Sequence, residues 1–131
     1  RHCRRLAVTA SVDAMNYLKP LPLGHSVCVE TYISGTGKKS VEVFCKVVGE
    51  DVLNGERYLA ATSFWTFVAL PREGEGDFTV DAIVPETDEE KFICSGYEER
   101  RKARLEQLGR QEALMEHITV VKPWNLEESE S

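Results

Sequence analysis

The stretch TASVDAMNYLKPLP, residues 9–22, has the pattern of a half-buried strand that ends at a proline corner. Its apolar residues alternate with Thr9, Ser11 and Asp13, and a period of two is typical of a strand with one covered face. The two closing prolines lack backbone donors, so a ladder of hydrogen bonds cannot continue through them. We therefore expect two hydroxyls and a carboxylate on one face of this strand, and any chemistry to begin there.

The composition is that of a soluble globular domain. The chain has 131 residues, of which 42% are hydrophobic, and a net charge of −6. No run reaches the roughly 18 consecutive apolar residues that a membrane helix needs. A negative balance argues against a nucleic-acid surface, because phosphate binding favours a basic one. We expect no nucleic-acid or membrane partner and a cytoplasmic location. Because the sequence opens on Arg1 and not on Met, we also expect a longer protein, whose targeting signals the sequence leaves open.

The cysteines and histidines form no recognisable ligand set. They are widely spaced, and no two cysteines are separated by only two residues. This spacing favours reduced thiols over the two alternatives, a disulfide framework or a zinc site. No metal is therefore predicted for the residues concerned, Cys3, Cys28, Cys45, Cys94, His2, His25 and His117.

Further strands and one helix are predicted downstream, joined by short turns. Asn54-Gly55 is a strong hairpin signal between the last two strands. The strands are expected at residues 6–15, 25–34, 40–48 and 57–70, the helix at 97–116, and an irregular acidic segment between them up to about residue 93. These elements predict an α+β chain with its sheet in residues 1–96 and a C-terminal helix and acidic tail in residues 97–131.

The predicted sheet has more apolar surface than the chain can cover. The run from Phe64 to Ala69 is apolar on both faces, as in a central strand. The late helix is mostly charged and suits the surface. Because an open sheet of this kind exposes too much apolar area, we expect a second subunit, a helix ahead of Arg1, or both.

Residues 9–20, followed by Gly24, resemble the hotdog-fold acyl-CoA thioesterases, and in particular the bacterial acyl-CoA hydrolases. Three later segments agree with this family: KSVEV at residues 39–43, TFVAL at 66–70 and ERRKAR at 99–104. The resemblance covers residues 1–109. It implies a curved antiparallel sheet wrapped around a central helix that precedes the first strand, and dimers that assemble into a hexamer.

The resemblance also implies an activity, the hydrolysis of a fatty acyl thioester to free acid and coenzyme A. No separate cofactor is expected, since coenzyme A is part of the substrate and product. The family's catalytic Asp, and its oxyanion-stabilising groups, would lie ahead of Arg1. Thr9 matches a threonine of the family's strand, and its hydroxyl would orient water or hold the carboxylate. The alternative for Thr9 is an ordinary β-branched strand residue, and for Asp13 a role in binding turn amides.

Two groups are candidates for binding the phosphates of coenzyme A. The hairpin residues Gly37, Lys38, Lys39 and Ser40 offer backbone N–H groups and two ammonium charges, although a simple hairpin explains them equally well. The second group is the basic cluster of the helix, Arg100, Arg101 and Arg104. Its alternative is a solvated helix paired with neighbouring glutamates.

The sequence is also compatible with two other functions. One is a hotdog module that binds acyl-CoA as a regulatory ligand without cleaving it. The other is a dehydratase of the same fold, which needs a catalytic histidine, a role for which neither His2 nor His25 is well placed. Trp65 and Phe67 are expected in the core or at a subunit interface and not in an acyl pocket.

Overall fold

The computed structural model describes residues 2–125, so most of the predicted acidic tail lies outside the described residues. The elements are β1 (Ala7–Tyr17), β2 (Ser26–Thr36), β3 (Ser40–Glu50), β4 (Arg57–Ala69), α1 (Asp88–Ser95), α2 (Tyr97–His117) and a short 3-10 turn (Pro123–Asn125). They form two compact units, Arg1–Tyr97 and Glu98–Ser131. The first unit holds the sheet and α1, and the second holds nearly all of α2.

The four strands form one antiparallel sheet in the order β1-β4-β3-β2. The β3–β4 ladder runs from the pair Ser40–Val68 to the pair Glu50–Arg57, so β4 is a central strand, as predicted. Gly55, with φ 75°, supplies the left-handed residue of the β3–β4 turn. All four predicted strands are thereby confirmed, with ends that differ by at most two residues.

Helix α1 lies over part of one face of the sheet, beside β2, and we call that face the helix face. It carries Tyr32, Phe44 and Phe64, whose rings follow one another at centroid distances of 5.3 and 5.1 Å. Glu89 of α1 accepts hydrogen bonds of 2.9 Å from both the Tyr32 hydroxyl and Lys46 Nζ. The hydrogen bond from Lys46 raises the pKa of Lys46, and the bonds from Lys46 and Tyr32 lower the pKa of Glu89, because each favours the charged form.

The prediction that residues up to about 93 are irregular was wrong for α1. This helix begins after Thr87, whose side chain accepts a hydrogen bond from the Glu90 amide, and three acidic residues occupy its first turn. An N-cap threonine followed three residues later by glutamate is a known helix-start signal. The acidic composition hid this signal in the sequence. The helix predicted at residues 97–116 is confirmed as α2.

The opposite face, which we call the open face, carries Thr9, Val43, Trp65 and Phe67, as the strand pairing requires. Part of it is covered by the chain that follows β4. Phe78 and Val80 are buried against Val41 and Ala69 and form a small core cluster. The Val80 amide also donates to the Lys38 carbonyl, which attaches this segment to the β2–β3 hairpin.

The open face is most exposed along the two outer strands, β1 and β2. Val12 is 42% exposed, Val27 51% and Val29 60%. The sequence predicted such an uncovered apolar surface from the strand pattern. Separately, none of the helices in residues 2–125 has both the length and the apolar character needed to cross a membrane.

Gly35 lies inside β2, one residue beyond the end predicted for this strand. A Cβ atom at this position would overlap the ring of Tyr97, the first residue of α2, which is buried. The absence of a side chain at Gly35 therefore makes room for the aromatic ring. This explains a glycine at a strand position where glycine is otherwise unfavourable.

Replacing Gly35 with alanine should destabilise the fold by about 1–3 kcal/mol, because the added methyl group overpacks this contact. Gly76→Ala is the matched control, since nothing lies within 4 Å of a Cβ at Gly76. Urea denaturation of both variants measures the difference. Equal stability of the two variants would contradict the packing role of Gly35.

Candidate active site

An extra residue in β1 decides which polar side chains share a face. Thr9 pairs with Phe67 and Ser11 pairs with Thr66, so Ala10 has no partner of its own and forms a bulge. Because successive residues of β4 point to opposite faces, Thr9 and Ser11 do too. The prediction that Thr9, Ser11 and Asp13 form one stripe was therefore wrong.

Thr9 lies on the open face and is exposed. Across the sheet it is followed by Phe67 and then by Val41, which belongs to the core cluster. Its hydroxyl thus borders an apolar surface. A hydroxyl in this setting can donate to or accept from a water molecule or a ligand placed against the open face.

Ser11 and Asp13 lie on the helix face. The Ser11 hydroxyl donates to Asp13 Oδ2 at 2.8 Å. Along the same row, Ser11 is followed by Thr66 and then by Glu42, whose carboxylate accepts a 2.7 Å hydrogen bond from Ser34. Thr66, Glu42 and Ser34 are all buried. This polar row lies on the helix face, so the sheet separates it from Thr9 on the open face.

The hairpin Gly37–Ser40 is compact, and much of its chemistry is already engaged. The Gly37 amide donates to the Ser40 carbonyl at 2.9 Å, which closes the turn. The ammonium groups of Lys38 and Lys39 lie 3.1 and 3.4 Å from the two carboxylate oxygens of Asp77. Both ammonium groups hold the pKa of Asp77 below its usual value, with Lys38 the larger cause. The role of this hairpin in coenzyme A binding stays a prediction.

The arginines of α2 are neighbours on the helix but differ in exposure. Arg100 and Arg104 are half-buried and one helical turn apart, whereas Arg101 is exposed. All three belong to the Glu98–Ser131 unit. Arg101 and Arg104 are also one turn apart, so the three side chains are helical neighbours. The role of this basic cluster in phosphate binding also stays a prediction.

The two histidines weighed for a dehydratase are engaged elsewhere. His25 Nδ1 lies 2.7 Å from the Tyr58 hydroxyl, and His2 Nε2 lies 2.6 Å from the Asp81 carbonyl. Among residues 2–125, no three His, Cys, Asp or Glu side chains are grouped so as to hold a metal ion. The four cysteines are free thiols.

A pair of charged residues that the sequence did not reveal lies beside the start of β1. Arg5 and Glu75 form a two-pronged ion pair with N–O distances of 2.6 and 2.9 Å. The Arg5 guanidinium also stacks on the Phe78 ring, 3.8 Å from its centroid. Glu75 Oε2 accepts a second bond from the Arg72 amide. The only signal in the sequence was indirect, because the start of β1 and the end of β4 must meet in an antiparallel pair.

Comparison with known proteins shows to which class of protein this chain is similar. Residues 1–55 match the family model of the thioesterase superfamily. A Bacillus subtilis protein described as an uncharacterized acyl-CoA thioester hydrolase is 44% identical over 124 residues, which are 95% of this chain and 72% of that protein. The human cytosolic acyl coenzyme A thioester hydrolase is 38% identical over 93 residues, and the chain spans 24% of its length.

The solved structures to which this chain is similar belong to the same class of protein. The acyl-CoA hydrolase of Bacillus cereus superposes with a TM-score of 0.83 at 36% identity, covering 90% of this chain and 71% of that one. The Staphylococcus aureus acyl-CoA hydrolase, in complex with butyryl coenzyme A and coenzyme A, gives a TM-score of 0.80 at 33% identity over 88% of this chain and 70% of that one. A hexameric acyl-CoA thioesterase superposes with a TM-score of 0.73 at 31% identity, covering 82% of this chain and 68% of that one.

The chain therefore belongs to the hotdog-fold acyl-CoA thioester hydrolase family. This confirms the predicted family and fold class, which rested on residues 9–20 and three shorter segments. The central helix ahead of Arg1 stays a prediction.

The Arg5–Glu75 pair predicts a pH dependence of stability. The hydrogen bond from Arg5, followed by that from the Arg72 amide, lowers the pKa of Glu75 to about 2. A free glutamate has a pKa of about 4.3, so the charged carboxylate stabilises the fold above that pH, and this contribution is lost as the pH falls towards 2. Glu75→Gln should therefore be less stable than the wild type at neutral pH, and the two urea midpoints should converge in acid.

Glu73→Gln is the control, because it makes the same charge change in the same loop without touching the Arg5 ion pair. Its urea midpoint should stay near that of the wild type at neutral pH. A gap between Glu75→Gln and the wild type that is constant from neutral to acid pH would show that the carboxylate charge is not responsible.

Proposed function

We propose that this chain is part of an enzyme that hydrolyses fatty acyl-CoA to free fatty acid and coenzyme A. Family membership carries the proposal, together with the position of Thr9 at the edge of an exposed apolar face. In the reaction, a water oxygen bonds to the acyl carbon, the carbon–sulfur bond breaks, and the departing sulfur takes a proton. An activated water and a stabilised oxyanion are the two requirements of this step.

Thr9 acts here as a group that orients the water or holds the catalytic carboxylate. Its exposure on the open face leaves the hydroxyl accessible to both. The Staphylococcus aureus acyl-CoA hydrolase has been studied as alanine mutants at an aspartate and at a threonine. These studies support testing a threonine and a carboxylate together. The carboxylate itself is expected ahead of Arg1.

The proposed enzyme works as a homo-oligomer, as dimers that assemble into a trimer of dimers. The exposed valines of the open face support association, because monomeric proteins rarely leave a large apolar surface uncovered. The similar hexameric acyl-CoA thioesterase supports a total of six protomers. A cytoplasmic location is proposed as well, and the name of the human cytosolic relative supports it. Coenzyme A enters only as part of the substrate and product.

The full-length protein should release thiol from acyl-CoAs when chain lengths are tested in series. Thr9→Ala should lower kcat by about 10- to 100-fold, the cost of a lost hydrogen bond to a charged group, and Thr9→Ser should retain most activity. Thr31→Ala is the matched control, since Thr31 is also exposed in a strand but lies three strands away. Full activity of Thr9→Ala would remove Thr9 from the site. Binding of acyl-CoA without thiol release at any chain length would favour a regulatory module.

Light scattering on the purified full-length protein should give the mass of six protomers, with dimers at high dilution. The physical reason is the uncovered apolar area of the open face, whose burial favours association. A monomeric mass at all concentrations would contradict the proposed assembly without bearing on the hydrolytic activity of the site.

A further inference from the structure

A surface cavity of about 640 Å³ lies where β1 begins and β4 ends. Three arginines, Arg4, Arg5 and Arg72, line it together with one carboxylate, Glu73, and its apolar lining is Leu6, Leu70 and Pro71. No motif in the sequence indicated this site, because its two halves are almost seventy residues apart. We call it the arginine pocket.

The arginine pocket is built around Arg5. The side chain of Arg5 is only 10% exposed, and its charge is balanced by Glu75. Glu75 also accepts from the Arg72 amide, and the Glu75 amide donates back to the Arg72 carbonyl at 3.0 Å. The same carboxylate thus positions one arginine directly and the loop carrying another. The pocket is therefore held in shape without a ligand.

Arg4 and Arg72 supply two positive charges for a ligand, and Glu73, which also lines the pocket, leaves a net charge of one. Arg72 Nη2 donates to the Arg4 carbonyl at 3.1 Å, which brings the two residues together. Arg4 has φ 49°, a left-handed conformation that non-glycine residues adopt rarely. Both residues are exposed, and within the described part of the chain neither guanidinium is in an ion pair. One of the five N–H donors of Arg72 is engaged, so most remain available.

This local charge stands out against the whole chain. The net charge of −6 repels a phosphorylated ligand, so such a ligand requires a local cationic site. The lysines predicted for this role, Lys38 and Lys39, already have Asp77 between them. Arginine also binds phosphate through two parallel hydrogen bonds and stacks on planar rings. Two adjacent guanidiniums beside an apolar floor therefore fit a phosphate group linked to an aromatic base.

We propose that the arginine pocket binds the nucleotide end of coenzyme A, with Arg4 and Arg72 on its phosphates and the adenine base against Leu6, Leu70 and Pro71. This rests on the proposed function, since it assigns part of the same substrate. The pocket lies about 10 Å from Thr9, because Thr9 is three positions along the extended chain from Leu6. Coenzyme A carries its phosphates at the far end of the pantetheine arm from the thioester, so the two ends must bind apart.

The test uses the full-length protein and compares an acyl-CoA with the same acyl group on pantetheine, which has no phosphates. Arg4→Ala and Arg72→Ala should each raise KM for the acyl-CoA about tenfold, and more when combined, because each removes a charged hydrogen-bond donor. The KM of each variant for the acyl-pantetheine should stay at the wild-type value. Arg57→Ala is the matched control, since Arg57 lies at the other end of β4. Arg4→Ala introduces no new backbone strain, because alanine and arginine disfavour the left-handed φ of this position alike.

Calorimetric titration with coenzyme A, dephospho-coenzyme A and pantetheine provides a readout that does not depend on hydrolysis. Weaker binding of the first two ligands to the double variant, with pantetheine unaffected, supports the pocket. Unchanged coenzyme A affinity overturns it, as does a loss seen only in Lys38→Ala and Lys39→Ala, which would assign the phosphates to the hairpin. Equal loss for inorganic phosphate and coenzyme A, with no change in KM, identifies a general anion site and also overturns it.

The failure of the two proposals can be told apart. If the wild type hydrolyses no acyl-CoA, the proposed function fails, while the titrations still decide whether the arginine pocket binds coenzyme A. If hydrolysis is normal and both arginine variants behave as the wild type, the pocket assignment alone fails. Thermal unfolding of each variant establishes that the losses do not come from misfolding, and the single Arg4→Ala variant serves if the double variant is unstable.

Discussion

The hydrogen-bonded register between β3 and β4 is the constraint on which the remaining structure depends. This ladder places Phe44 beside Phe64 on one face and Val43 beside Trp65 on the other. Both faces of the central strands are therefore apolar, and each needs a cover. Helix α1 covers part of the first face, and the segment around Phe78 covers one end of the second. Helix α1 and the segment around Phe78 thus pack where they do because the sheet is apolar on both sides.

Carboxylates organise the polar parts of the molecule. Glu89 joins α1 to the sheet, Asp77 joins the segment after β4 to the β2–β3 hairpin, and Glu75 holds Arg5 and the neighbouring loop. Each carboxylate comes from the chain after β4 and contacts a cation that precedes the end of that strand. The acidic composition, which argued only against nucleic acid at the level of the sequence, therefore has a specific structural use.

Residue patterns predicted the strands, the Asn54-Gly55 turn and α2, because periodicity and turn chemistry are local properties. The resemblance of residues 9–20 predicted the family and the fold class. The bulge at Ala10 was not predictable, since the alternation of β1 reads as regular and the extra residue is visible only against Phe67 and Thr66. Pairs such as Arg5 and Glu75, seventy residues apart, depend on tertiary structure in the same way.

The bulge at Ala10 has a consequence for the use of this strand as a module. The phase of β1 changes at Ala10, so Thr9 and Ser11, two residues apart, face opposite sides of the sheet. Removing Ala10 would straighten the strand and keep both side chains on their present sides, because they would then be successive residues. Making Ala10 part of a regular ladder would instead put Thr9 and Ser11 on the same side, so a chimera between relatives must either keep the bulge or lose the residue with it.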